Sequence, residues 1–130
     1  MGTNYYLQYN ICKHCGRFDS VHIGKASVGW KFMFQEVTIV NPPIKKLQAK
    51  NLLKGENEFY IEIKSGKDWI DFIKKHVINN DAFRIVDEYG SIITPKDFLK
   101  LVEAKSYSQS QFDLNIINEG PWDFCTEPFS

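Results

Sequence analysis

The stretch NICKHCGRFDSVHIGKASVGW, residues 10–30, holds most of the chemically reactive side chains of the chain and decides how the rest is read. Cys12 and Cys15 form a Cys-x-x-Cys pair followed by Gly16. In a thioredoxin-like protein such a pair opens a helix inside a βαβ unit, and the fold would be α/β. Here glycine follows the pair, and then Val21-His22-Ile23 alternates as a strand does, so the pair marks a turn between strands. Tyr5-Tyr6-Leu7-Gln8-Tyr9 leads into the turn with the aromatic residues that strands favour. Trp30 to Val37 alternates again, with Trp30, Phe32 and Phe34 on one face and Lys31, Met33 and Gln35 on the other. These segments read as a hairpin with Lys25 and Ser27 at its tip.

Beyond this core the order of elements sets the fold class. Asn41-Pro42-Pro43 breaks the sheet, Ile44 to Lys54 reads as a short helix, and Glu58 to Ile63 reads as a strand. From Lys67 to Ile78, Trp69, Phe72, Ile73, His76 and Val77 recur at helical spacing after a capping-box-like Ser65. Phe83 to Val86 and Ser91 to Ile93 flank the turn Asp87-Glu88-Tyr89-Gly90. A second helix then runs from the N-cap Thr94 through Pro95 to Ala104, burying Phe98, Leu101 and Val102. Phe112 to Ile117 alternates as a strand, and Gly120-Pro121 turns the chain into Trp122-Asp123-Phe124-Cys125, with Phe129 packing down in the tail. The expectation is a single α+β domain over residues 1–130: a small mixed or antiparallel sheet, two main helices and an N-terminal zinc-knuckle-like turn.

Composition narrows the function. Sixteen Lys and Arg balance sixteen Asp and Glu. Non-specific nucleic-acid binding by phosphate neutralisation needs a strongly basic chain, so it is not expected. Three cysteines, an odd number, fit a reduced cytosolic protein better than a disulfide framework. No apolar run approaches membrane-spanning length and the start lacks a signal-peptide pattern, so a soluble cytoplasmic protein is expected.

Two chemistries coexist in residues 10–30. Two thiolates at Cys-x-x-Cys spacing can chelate zinc, with His22 as a third ligand and His14, Asp19, Cys125 or water as the fourth. Water in the fourth position would be activated for hydrolysis. Gly24, Lys25, Ser27 and Trp30 offer accessible backbone, an ammonium, a hydroxyl and an aromatic face, a set suited to an anionic ligand bearing a ring. The loop is not a Walker A motif, because the upstream glycine and the following helix are missing. Asp87-Glu88 reads as a solvated turn, and Trp69 and His76 as core.

The start Met1-Gly2-Thr3-Asn4-Tyr5-Tyr6, the knuckle Cys12 to Arg17, His22-Ile23-Gly24-Lys25 with Ser27 and Gly29-Trp30, the turn Asp87 to Gly90, and the closing Trp122-Asp123 and Phe129-Ser130 together resemble an uncharacterised family of small proteins of bacteriophages and their bacterial hosts. The resemblance implies a phage-encoded protein in host cytoplasm, with no activity attached. It implies that Gly2 to Asn4, the His22 to Trp30 loop, Glu88 and Trp122-Asp123 assemble into one site. It further implies a histidine in relatives near Gln35, where this chain carries a poor zinc ligand.

The expected function is therefore a binding protein for a nucleotide-type anionic small molecule, sequestering a signal of host defence. The ligand set is Asn4, Tyr5, Gly24, Lys25, Ser27, Trp30, Glu88, Trp122 and Asp123, and the zinc set is Cys12, Cys15 and His22. Tyr5, Trp30 or Trp122 would stack on a base. Two alternatives stand beside it: an inhibitor that docks on a host protein, and a small metal-dependent hydrolase with Glu88 or Asp123 as base. Assembly into a homo-oligomer is compatible with each.

Overall fold

A computed structural model describes residues 2–43, 52–54, 59–110 and 114–127. Strand β1 (Gly2–Tyr9) runs antiparallel to β2 (Asp19–Ser27), and the knuckle joins them. Short β3 (Met33–Gln35) pairs with the far end of β2, then β4 (Val37–Val40) leaves for a second sheet with β5 (Leu52–Lys54) and β6 (Phe59–Ile63). Helix α1 (Gly66–Phe72) continues into a π-helical turn, Ile73–Val77. Strands β7 (Phe83–Asp87) and β8 (Ile92–Ile93), helix α2 (Pro95–Ala104), β9 (Ile116–Asn118) and β10 (Asp123–Cys125) complete the fold. Among the described residues the large sheet has the order β8-β7-β1-β2-β3-β10-β9, antiparallel except for β3 with β10, and the small one β4-β6-β5. The α+β class expected from the sequence holds.

Local chemistry explains the helix starts. Ser65 Oγ accepts from the Asp68 amide (3.0 Å) while Asp68 Oδ2 accepts from the Lys64 amide (3.0 Å), a reciprocal cap at α1. Thr94 Oγ1 accepts from the Asp97 amide (3.2 Å) with Pro95 at the first turn of α2, and such a cap contributes about 1 kcal/mol. The Ile78 amide donates to Ile73 O at 3.0 Å, closing the wide π turn. Trp69, Phe72, Ile73, His76 and Val77 are all buried, as the helical period required.

Packing is dominated by rings. Phe32 lies at the centre of one cluster, 4.8 Å from Phe34 and 5.3 Å from Phe98, with Tyr5 5.5 Å from Phe98. Phe72 joins a second, at 5.7 Å from Phe83 and 6.4 Å from Trp69. Each fully buried phenylalanine contributes roughly 1.5–3 kcal/mol of transfer free energy. Both clusters belong to one hydrophobic core that also takes in Ile39, Ile61 and Ile63 of the small sheet.

The structure departs from the sequence reading in several places. Lys25 and Ser27 are not at a hairpin tip but inside β2, whose turn into β3 comes later; Trp30 lies in that turn and bridges to Gln109. The expected strand Trp30 to Val37 is divided between two sheets at Glu36, because the Glu36 amide donates to Cys125 O (3.0 Å) and the chain then turns away. Leu52–Lys54 pairs with β6 as a strand instead of ending a helix, and the rest of that expected helix lies outside the described residues. The strand expected at Phe112 to Ile117 begins at Ile116; residues 111–113 and Phe129 lie outside the described residues.

Candidate functional site

The β1–β2 ribbon positions most of the candidate residues. In a regular strand, side chains alternate, so His22 and Lys25, three apart, would face opposite sides. The register shifts between Tyr5 and Tyr6: Tyr5 pairs with Gly24 and Tyr6 with His22, leaving Ile23 as the extra residue of a β-bulge. The bulge turns His22 and Lys25 to one face, opposite Tyr6 and Asn4, while Ile23 enters the core with no exposed surface. Gly24 makes this possible. A Cβ there would stand 2.1 Å from Met33 O and 2.7 Å from Phe32 Cε1, so β3 and the Phe32 ring occupy its side-chain space.

On that face, the Asn4 amide Oδ1 lies 3.0 Å from His22 Nε2, and the Tyr6 and His22 ring centroids are 5.1 Å apart. Burial lowers the His22 pKa; the Gly24 carbonyl opposes this by favouring the charged ring, and the nearby Lys25 ammonium adds to the lowering. The Asn4 backbone amide donates to Glu88 Oε1 (2.8 Å), so Glu88 closes the end of the β1–β7 pairing. Its neighbour Asp87 is consumed by the turn, where Oδ1 accepts from the Tyr89 and Ser91 amides, both at 2.9 Å. Gly2 pairs with Ser27 at the start of the ribbon. A Cβ on Gly2 would lie 2.5 Å from Ser27 Oγ and 2.6 Å from Lys25 Cε, so hydroxyl and lysine stem converge over the bare backbone of Gly2.

The same lateral row runs on across the sheet as Asn4, Lys25, Met33, Asp123 and Asn118. Asp123 is therefore on the Lys25 face, two strands away and without exposed surface. Gln35 is buried near it against Cys125, and its Oε1 has no hydrogen-bond partner.

Three expected ligand residues lie elsewhere. Tyr5 points into the core against Phe98 and Phe32, where burial first and Asp87 second raise its pKa. Trp122 covers Gly66 at the start of α1, with Nε1 donating to Glu119 Oε1 (3.0 Å), which also accepts from the Gly66 amide (2.9 Å). Trp30 sits in the β2–β3 turn, partly exposed. Tyr6, one residue from Tyr5, is the aromatic residue that shares the face. The pairing register decides between the two, and the alternating pattern of a lone strand cannot announce a bulge.

The knuckle lies at the opposite end of the ribbon. The Cys12 amide donates to Arg17 O (2.7 Å), the Gly16 amide donates to Cys12 O (2.8 Å), and Gly16 takes a φ of 76°. The backbone amides of Cys15 and His14 and the Cys15 thiol donate to the Cys12 sulfur, which lowers its pKa. His22 is three pairs inside the strand end, about 10 Å along the ribbon at ~3.3 Å per residue, and its ring faces Asn4, away from the thiols. Among the described residues no group of three His, Cys, Asp or Glu side chains is placed to hold a metal. Glu88 and Asp123 are likewise remote from the thiols. A separate cleft between the π-helical turn and β6 is lined by Ile61, Ile63, Asp71 and His76. There the His76 ring packs 5.1 Å from Phe72, with its pKa lowered by burial and then by Lys75.

Among the described residues no helix is long and apolar enough to cross a membrane. Compared with family models, curated proteins and solved structures, the chain matches none of them.

Proposed function

We propose that the outer face of the β1–β2 ribbon binds a small anionic molecule of the nucleotide type. The observation that carries this reading is the convergence of Lys25 and Ser27 over Gly2, where the end of the lysine stem and a hydroxyl meet half-buried glycine backbone, in register with Asn4, His22 and Tyr6. Lys25 and Ser27 take the anionic group, Tyr6 offers a ring face for stacking, and the Glu88 carboxylate, with one oxygen on the Asn4 amide, has acceptor capacity for a sugar hydroxyl. One lysine beside one carboxylate suits a ligand of low charge, such as a phosphodiester or monophosphate, better than a triphosphate. In the phage setting that the sequence resemblance implies, such a protein sequesters a nucleotide signal.

Calorimetry with a panel of mono-, di- and cyclic nucleotides tests the reading. A charge-assisted hydrogen bond contributes about 1.5–3 kcal/mol, so Lys25→Met should weaken binding roughly tenfold to a hundredfold. No heat with any member of the panel, or equal affinity for the variant, refutes it.

A second reading has its own observation. Val28 (88% exposed) and Tyr107 (95%) flank the Trp30–Gln109 bridge, giving an apolar corner suited to a host protein. Capture of one host protein by the wild type that is lost in Val28→Asp, with no nucleotide binding, favours this alternative.

A further inference from the structure

The knuckle holds two free thiols in one short turn before any partner arrives. The Gly16 amide donates to Cys12 O (2.8 Å) and the Cys12 amide to Arg17 O (2.7 Å), so Cys12 and Cys15 are fixed within a single closed loop of backbone, and amides of Cys15 and His14 donate to the Cys12 sulfur. Amide donors spread the negative charge of a metal-bound thiolate, and hydrogen bonds of this kind tune a metal site as much as its ligands do. Two thiolates supply half of a tetrahedral structural zinc site.

The chain offers few ways to supply the other half. All three cysteines and all three histidines are among the described residues. Cys125 is buried on β10 with its thiol on Glu127 O (3.1 Å), His22 faces Asn4, His76 packs on Phe72, and among the described residues neither His14 nor Asp19 forms a group of three with the two thiols. Every residue from Lys13 to Ser20, Cys15 included, is exposed and Cys12 is half-buried beside them, so the pair stands at an outward tip that another molecule can approach. We propose that Cys12 and Cys15 of two copies of this chain together hold one Zn²⁺ as a four-thiolate site on a two-fold axis.

Charge favours this arrangement. The chain has a formal net charge of zero, so two copies meet without strong overall repulsion. Zinc with four thiolates carries a net charge of −2, and each copy brings Lys13 and Arg17 of its own knuckle to offset it. Because the same tip meets itself, the interface closes as a dimer and does not propagate. Binding releases the thiol protons to solvent as each sulfur becomes a zinc-bound thiolate.

The test is a titration of reduced, metal-free protein with Co²⁺, displacement by Zn²⁺, and sedimentation at each point. The expected result is saturation at half an equivalent of metal per chain, with a tetrahedral thiolate-to-cobalt spectrum and a shift from monomer to dimer mass. Cys12→Ser and Cys15→Ser should lose both changes, while Cys125→Ser should keep them. Saturation at one equivalent on a monomer overturns the proposal. So does a dimer that forms without metal and survives Cys12→Ser, or the absence of any cobalt spectrum. The readouts do not depend on nucleotide binding at the other end of the ribbon.

Discussion

Gly24→Ala adds one methyl group at the point where β2 meets β3. Its Cβ would lie 2.1 Å from Met33 O, 2.7 Å from Phe32 Cε1 and 3.0 Å from Met33 C. The nearest of these is backbone, held from the other side by the pairing of Met33 with Asp123, so the carbonyl cannot swing aside. It would have to retreat by roughly an ångström. Only two residue pairs join β2 to β3, Gly24 with Phe34 and Lys25 with Met33, so the displacement strains the whole junction to β10 and β9. Overpacking of this kind costs about 1–3 kcal/mol, and a weakened ladder hydrogen bond adds about 1 kcal/mol. Gly24 is not in the left-handed region, so alanine also restricts the unfolded chain, a gain of about 0.4–1 kcal/mol that is too small to compensate. The net loss is about 1–3.5 kcal/mol, or a Tm lower by about 3–18 °C for a chain of this size. Urea unfolding followed by tryptophan fluorescence measures it, with Gly2→Ala as the control. There the two closest contacts of the same methyl are the movable ends of Ser27 and Lys25, with the Ala26 carbonyl at 3.0 Å as the nearest backbone, so the loss should stay within about 1 kcal/mol. A Gly24→Ala protein as stable as the control would refute the close approach of β3 and the bulge built upon it.

Two further measurements probe the core and the titrating groups. Trp69 is fully buried with Nε1 donating to Gln35 O at 2.7 Å, so Trp69→Phe both leaves a void and orphans that carbonyl. A loss of about 2–4 kcal/mol in urea unfolding is expected, and a loss below 1 kcal/mol would contradict the packing. His22 and His76 both have pKa values lowered from 6.5, chiefly by burial. Below about pH 6.5 the unfolded chain then binds more protons than the folded one, so stability falls with pH until the folded-state values are passed. Unfolding free energy measured from pH 7.5 to 5 should decline, and His22→Gln should remove part of the slope. A flat profile would oppose the burial of both rings.

Local signals were legible wherever the decisive interaction spans a few residues. Thr94 and Pro95 start α2 where the capping pattern placed it, and the helical spacing of Trp69, Phe72, Ile73, His76 and Val77 marked a buried face correctly. The glycine after Cys15 and the alternation beyond it were enough to read a strand turn in place of a helix start. The π-helical turn was not legible, since it changes one hydrogen-bond span without changing which residues are apolar.

Capping, periodicity and glycine conformations act within the chain's own neighbourhood, so the α+β class, the two helix starts and the turn at Cys12–Cys15 could be read directly from the order of residues. Which side chains share a face, by contrast, depends on how the strands pair. The bulge at Tyr5 and Tyr6 exists because Gly24 must admit β3 and Phe32, residues that reach it through sheet pairing. That one slip brings His22 beside Tyr6 and Lys25 beside Asn4, sends Tyr5 to the core, and separates His22 from the thiols. Register is a property of paired strands, and an unpaired sequence does not contain it.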